Sequence, residues 1–186
     1  MITIKPKKGH LLIAEPSIID DTSFNRSVIL LADHSDEGSI GFILNKPLKY
    51  TLKDLVPHTK ASFKVYNGGP VEQDNLYFIH KVPDLIPESI EISLGIYWGG
   101  NFDIALALIN SGEIKACDIR FFLGYSGWEP TQLDTELETN SCIVTENIYK
   151  KSIIEKKDSS FWKEKMLELG GEYSIWSNAP ENPSYN

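Results

Sequence analysis

The sequence predicts an α+β domain: a mixed, strongly curved β-sheet with helices packed around it. Three observations predict it. Short runs rich in Ile, Val, Phe and Tyr, bounded by Gly, Pro, Asn and Asp, crowd the first half of the chain, as strands do. Helical patterns are fewer and irregularly placed, so the regular alternation of a doubly wound fold is missing. The length, 186 residues, suits one domain, 1–186. A chain of that size buries about 70 % of the surface its unfolded form exposes, so it needs neither disulfide nor metal to fold.

Taken in order, the strand candidates are HLLIA (10–14), SVILLAD (27–33), SIGFILN (39–45), FKVYN (63–67), NLYFIHK (75–81), SIEIS (89–93), KACDIRFFLG (115–124) and CIVTE (142–146). SVILLAD shows little alternation, which predicts a central strand covered on both faces. Three helices follow from periodicity. In NFDIALALINSG, Phe102, Ala105, Leu106 and Ile109 share a stripe, with Asn101 as N-cap and Gly112 as stop. EPTQLDTELET places Pro130 near a first helical position and Leu133 with Leu137 on one side. DSSFWKEKMLELGG lines up Trp162, Met166 and Leu169 before two glycines. Shorter helices are expected near TLKDLV and NIYKKSIIE, and residues 171–186 read as an extended C-terminal tail.

Net charge is -8 with a pI near 5.0, a field that repels phosphate backbones and argues against direct nucleic-acid binding. The charge is uneven. Lys46, Lys49, Lys53, Lys60 and Lys64 face a single Asp54 within 46–64, whereas 129–146 holds acids and no Lys or Arg. The basic stretch is a solvated face or a patch for an anion. The apolar run at Leu11–Ala14 is too short for a signal-peptide core, and no window approaches a membrane span. Cytoplasmic placement with two free thiols is the expectation.

Catalytic motifs are scarce. GYSGW puts Ser126 two residues after Gly124, but Trp128 occupies the position where a nucleophile elbow requires glycine. His10, His34, His58 and His80 form no zinc spacing, and neither metal nor cofactor is expected. His34, in ADHSDEG, reads as part of a strand-ending turn; His80 ends a strand, facing solvent or a hydrogen bond. Cys117 and Cys142 lack the cationic neighbour of a reactive thiolate and read as buried strand cysteines. In YNGGPV, Asn67 and Gly68 suggest a tight turn with positive φ. In FLGYSGWEPTQLDTEL, a strand enters a glycine-rich turn whose aromatics, Tyr125 and Trp128, either form a ligand platform or pin a helix to the sheet.

GHLLIAEP, DTSFNRSVILL, GSIGFILNKP, VYNGGPV and FFLGYSGWEPTQLDTEL, in that order, resemble the YqgE/AlgH family of bacterial proteins from about Gly9 to at least Gly170. That family's loop usually reads GYAGWxPGQL; Ser126 stands here for its alanine and Thr131 for its glycine. Its usual tryptophan after the following helix is missing, near Ser141 and Cys142. The resemblance implies a bifurcated, partly barrel-like sheet surrounded by helices, an association with transcriptional control, and no transferable catalytic residue. The expected site is a groove between the 124–132 loop and the NGGP turn, with Asn45, Gly68, Gly69, Pro70, Tyr125 and Gln132 around it and Trp128 as anchor. The leading expectation is a non-catalytic protein binding a small molecule or a protein partner. An enzyme, with hydrolase as the class considered and a polar site at Asp20, Arg26 and His34, is the alternative, and a transcriptional regulator acting on DNA directly or through a partner the third.

Overall fold

The computed structural model describes residues 4–18 and 23–179. Asp20 and the tail from 180 onward lie outside the described residues. Among the described residues ten strands form the sheet: β1 (Leu11–Ala14), β2 (Val28–Ser35), β3 (Gly38–Ile43), β4 (Pro47–Thr51), β5 (Lys64–Asn67), β6 (Val71–His80), β7 (Ile90–Ser93), β8 (Ile96–Trp98), β9 (Ile119–Trp128) and β10 (Cys142–Thr145). Five helices accompany them: α1 (Leu52–Leu55), α2 (Phe102–Ser111), α3 (Gln132–Glu138), α4 (Asp158–Leu169) and α5 (Tyr173–Trp176), with a 3₁₀ turn at Lys150–Glu155.

The sheet runs β10-β1-β2-β3-β9-β6-β8-β7, antiparallel at every step. β9 is the branch point. Along one edge, Phe121–Leu123 pairs in parallel with β5, and Ser126–Trp128 pairs antiparallel with β3. Its other edge is taken by β6. β4 joins only β5, and an edge strand of that kind tolerates Pro47. The sheet is thus mixed and bifurcated. It curls without closing: β10 and β7 end the path, yet a Cβ placed on Gly9, just before β1, would sit 2.4 Å from Ser93 Cβ of β7. Ile92 and Ile96 share one core with Leu11, Ile13 and Leu30.

Branching divides the core. One cluster, including Phe42, Tyr66 and Phe122, lies under the 3₁₀ turn and α4 through Ile153, Ile154, Phe161, Trp162 and Met166. A second joins Val65, Phe78 and Phe121 to Ala105 and Ile109 of α2. A third joins Leu12, Ile29 and Leu31 to Trp128 and to Leu133 of α3. Val28–Ala32 are all buried, as a strand covered on both faces requires.

Several expectations are corrected. The strand expected over 115–124 begins at Ile119 and continues to Trp128, so GYSGW is strand, not turn. Cys117 lies in the preceding turn and is exposed. Cys142 is in β10, and burial, with Glu136 and Glu15 adding to it, pushes its thiol up to about 12. β4 and β8 carry too little apolar signal: one is mostly exposed and the other has three residues. Of the two alternatives for His80, the hydrogen bond holds: the ring is fully buried. Its Nε2 lies 3.2 Å from Gly99 O, and its Nδ1 accepts from Val82 N. Pro130 precedes the α3 cap, Thr131, instead of opening the helix. The extended tail is corrected over 171–179. Gly170 and Gly171, both at positive φ, turn the chain into α5, and Ser177 is buried.

Candidate functional site

The NGGP segment and β9 lie side by side because two glycines remove the side chains between them. A Cβ on Gly68 would meet Gly124 O at 2.2 Å, and one on Gly69 would meet the Tyr125 backbone at 2.3 Å. Gly68 N donates to Leu123 O at 2.9 Å, and the buried Ser126 hydroxyl donates to Gly68 O at 3.1 Å, which occupies that hydroxyl in the frame. The expected tight turn is instead an Asx-type link, Gly69 N to Asn67 Oδ1, with positive φ at Gly69 and not at Asn67 or Gly68. Pro70 is exposed beyond it.

A hollow of about 410 Å³ opens beside this contact, lined by Tyr125, Trp128, Gln132 and the acids Asp33, Glu37 and Glu129. Tyr125 is half-buried and meets Tyr77 edge-on at 5.6 Å. Trp128 is buried, and its indole donates to Glu136 Oε2 at 2.9 Å. Gln132 belongs to the same brace: its Oε1 accepts from Glu129 N and its Nε2 donates to Glu136 Oε1. The rings therefore differ in role, with Trp128 pinning α3 to the sheet. His34 Nδ1 lies 2.8 Å from Ser39 Oγ, but the two are direct cross-strand partners in the β2–β3 hairpin and Ser39 is buried. No carboxylate hydrogen-bonds to the other His34 nitrogen among the described residues.

Asn45 lies on the chain beside the NGGP segment, since Ile43 N donates to Gly68 O at 3.0 Å and Asn67 N to Lys46 O at 2.8 Å, but it borders another hollow. Its Oδ1 accepts from Val28 N at 2.8 Å and its Nδ2 donates to Arg26 O at 2.9 Å, a clamp that holds the turn entering β2. Arg26 sits there at φ 53, a backbone region disfavoured for its type. Its guanidinium lies over the Trp162 ring, 4.9 Å from the centroid, and donates to Ala179 O at 3.0 Å. Around this clamp is a hollow of about 680 Å³ bordered by Arg26, Asn45, Lys46, Trp162, Lys163 and the 177–179 stretch. Trp162 is fixed by donating to Ala14 O at 2.9 Å.

The expected residues thus fall into two places. Tyr125 and Gln132 share the acidic hollow, with Gly68, Gly69 and Pro70 on the NGGP segment alongside; Asn45 and Arg26 share the cationic one; His34 borders neither. No group of three or more His, Cys, Asp or Glu able to hold a metal occurs among the described residues. Comparison with known proteins decides the family. The AlgH-like family (DUF179) matches residues 11–174.

The chain belongs to the AlgH-like family.

It is 41 % identical to a UPF0301 protein of Bacteroides thetaiotaomicron, over 98 % of this chain and 93 % of the relative. It is 36 % identical to one from Chlorobaculum tepidum, over 97 % and 96 %. The solution structure of the AlgH protein from Pseudomonas aeruginosa superposes with a TM-score of 0.73 at 24 % identity, covering 97 % and 98 % of the two chains. A crystal structure of a Corynebacterium diphtheriae protein gives 0.75 at 22 %, covering 96 % and 95 %. These likenesses establish the AlgH-like fold and no catalytic function. Trp162 and Lys163 of this AlgH-like chain carry no local sequence signal of a site. They sit more than 100 positions from Arg26, and only the packing of α4 on the sheet brings them to the clamp.

Proposed function

We propose that this AlgH-like protein is a non-catalytic binding protein that takes an anionic small molecule in the hollow around Arg26, Asn45, Lys46, Trp162 and Lys163. The observation that carries the reading is the clamp. Asn45 spends both ends of its side-chain amide fixing the Arg26 backbone in a left-handed conformation, which sets the guanidinium against the Trp162 ring at the border of the hollow. Backbone held in such a region persists where surrounding structure over-determines it, and function is a common reason. Among the described residues that border the hollow are the cations Arg26, Lys46 and Lys163, in a chain whose net charge is -8. A mostly preformed concavity with a few converging polar groups is what small-molecule sites share.

A thermal-shift panel of carboxylates, phosphate esters, amines and neutral sugars tests this. Anionic members raise the melting temperature, and Lys163→Ala, on the exposed face of α4, removes the gain without lowering the ligand-free melting temperature. Stabilisation confined to amines or sugars would remove the reading.

A further inference from the structure

A second hollow of about 500 Å³ meets the first at the start of α4, where Asp158 borders both. The buried charged residue of its lining is Arg120, only 5 % exposed. Arg120 donates to three backbone carbonyls, Leu44 O, Ile154 O and Lys156 O, each at 2.7 Å, and stacks 4.5 Å from the Tyr66 ring centroid. Every one of these acceptors is neutral.

Buried charges in proteins are as a rule paired, because desolvating an ion is costly. Arg120 forms no ion pair with a carboxylate among the described residues. The carboxylates nearby are already committed. Asp158, whose field reaches Arg120, pairs with Lys64 at 3.3 Å; Glu155 pairs with Lys81; and Lys156 is matched by Glu164 at 2.5 Å. When these pairs are set aside, neither Arg120 nor the exposed Lys157 forms an ion pair with a carboxylate among the described residues, the field of Lys157 reaching only as far as Glu164. Burial pulls the Arg120 guanidinium below its usual value, the sign of a charge desolvated more than it is compensated. Phe63, Tyr66 and Ile119 give the lining an apolar and aromatic part.

We propose that this second hollow binds an oxyanion, carboxylate or phosphate, carried on an apolar or aromatic body: the anion meets Arg120 and Lys157, and the body lies against Phe63, Tyr66 and Ile119. The clamp on three carbonyls uses three of the five Arg120 donors, which leaves two N–H groups and the charge itself for a bound anion. The site is separate from the Arg26 hollow and does not rest on it.

The test uses the full-length ¹⁵N-labelled chain, with phenyl phosphate and benzoate as probes and phenol as the neutral control. Phenyl phosphate, benzoate or both shift the amide signals of Lys64, Tyr66, Arg120 and Lys157, and phenol at equal concentration does not. Arg120→Lys risks the fold, so Lys157→Glu is the decisive variant. It keeps the melting temperature and weakens binding roughly fivefold, the scale of reversing a solvent-screened charge. The proposal is overturned if neither anion moves these signals, if phenol moves them equally, or if Lys157→Glu binds as wild type does. Shifts confined to Arg26, Asn45 and the Trp162 indole overturn it while supporting the first hollow. Shifts confined to the Arg120 hollow support the proposal.

Discussion

Trp128 shows what a single side chain does in this fold. It closes the cluster beneath α3, lies 6.4 Å from the Phe24 ring, and uses its only donor on Glu136. Removing a buried tryptophan costs about 3–5 kcal/mol, a large part of the roughly 5–15 kcal/mol that holds a domain together. Trp128→Ala therefore lowers the melting temperature by many degrees; a variant melting like wild type would show that the indole is not an anchor. Tyr125→Phe keeps the ring against Tyr77 and melts unchanged. Thr131 is the converse case. It adopts φ 65, where a β-branched residue is strained, at the position the family usually gives to glycine. Thr131→Gly relieves strain of about 1–3 kcal/mol, partly offset by the unfolded-state entropy of glycine, for a net gain of roughly 1 kcal/mol. A urea midpoint that falls in the variant would contradict this.

Elements were legible where one physical cue dominated. Helix α2 was readable because a stripe, a cap and a stop coincided: Asn101 Oδ1 accepts from Ile104 N, and Gly112 ends the helix at φ 81. β9 was misread at its N-terminal end because alternation over 115–121 mimicked a strand, whereas Lys115–Asp118 forms a turn closed by Asp118 Oδ2 on Lys115 N. Its C-terminal end was misread because glycines usually mark turns; here they let β9 run against the NGGP segment without clashes. The site was half legible. Residue types named Asn45 and Arg26, but pairing across the sheet, which no local pattern encodes, assigned Tyr125 to another hollow. The β7–β8 hairpin exposes one more local conflict. Its two-residue turn, Leu94 at φ 54 and Gly95 at φ 81, has the signs of a type I′ turn that favours Asn-Gly. Leu94 is exposed, so Leu94→Asn raises stability by a few tenths to about 1 kcal/mol, read as a higher denaturation midpoint. A lower midpoint would refute the assignment.

At the scale of the molecule, charge and burial set the responses to solution conditions. His80 is buried neutral between Gly99 O and Val82 N, and burial holds its pKa below the usual 6.5. A depressed histidine favours the folded state while neutral, so its contribution is complete above pH 6.5 and is lost as pH falls through 6.5 toward the folded value. Direct titration of the His80 ring by NMR gives a value below 6.5; one above it would reverse the sign. The net charge of -8 and the lack of a basic recognition helix predict duplex DNA binding weaker than about 1 µM at physiological salt; a sequence-specific nanomolar gel shift would contradict that. The central claim, that the Arg26–Asn45 clamp builds an anion site, is tested most directly through the Trp162 indole N–H, which is bonded to Ala14 O with Arg26 over its ring. In a titration with the strongest-stabilising anion of the panel, this signal and the Asn45 side-chain amide shift saturably in wild type, and Lys46→Glu with Lys163→Glu abolishes the shift in a chain that still melts cooperatively. Saturable binding of that anion with both signals unmoved, or binding indifferent to the two charge reversals, would contradict the account.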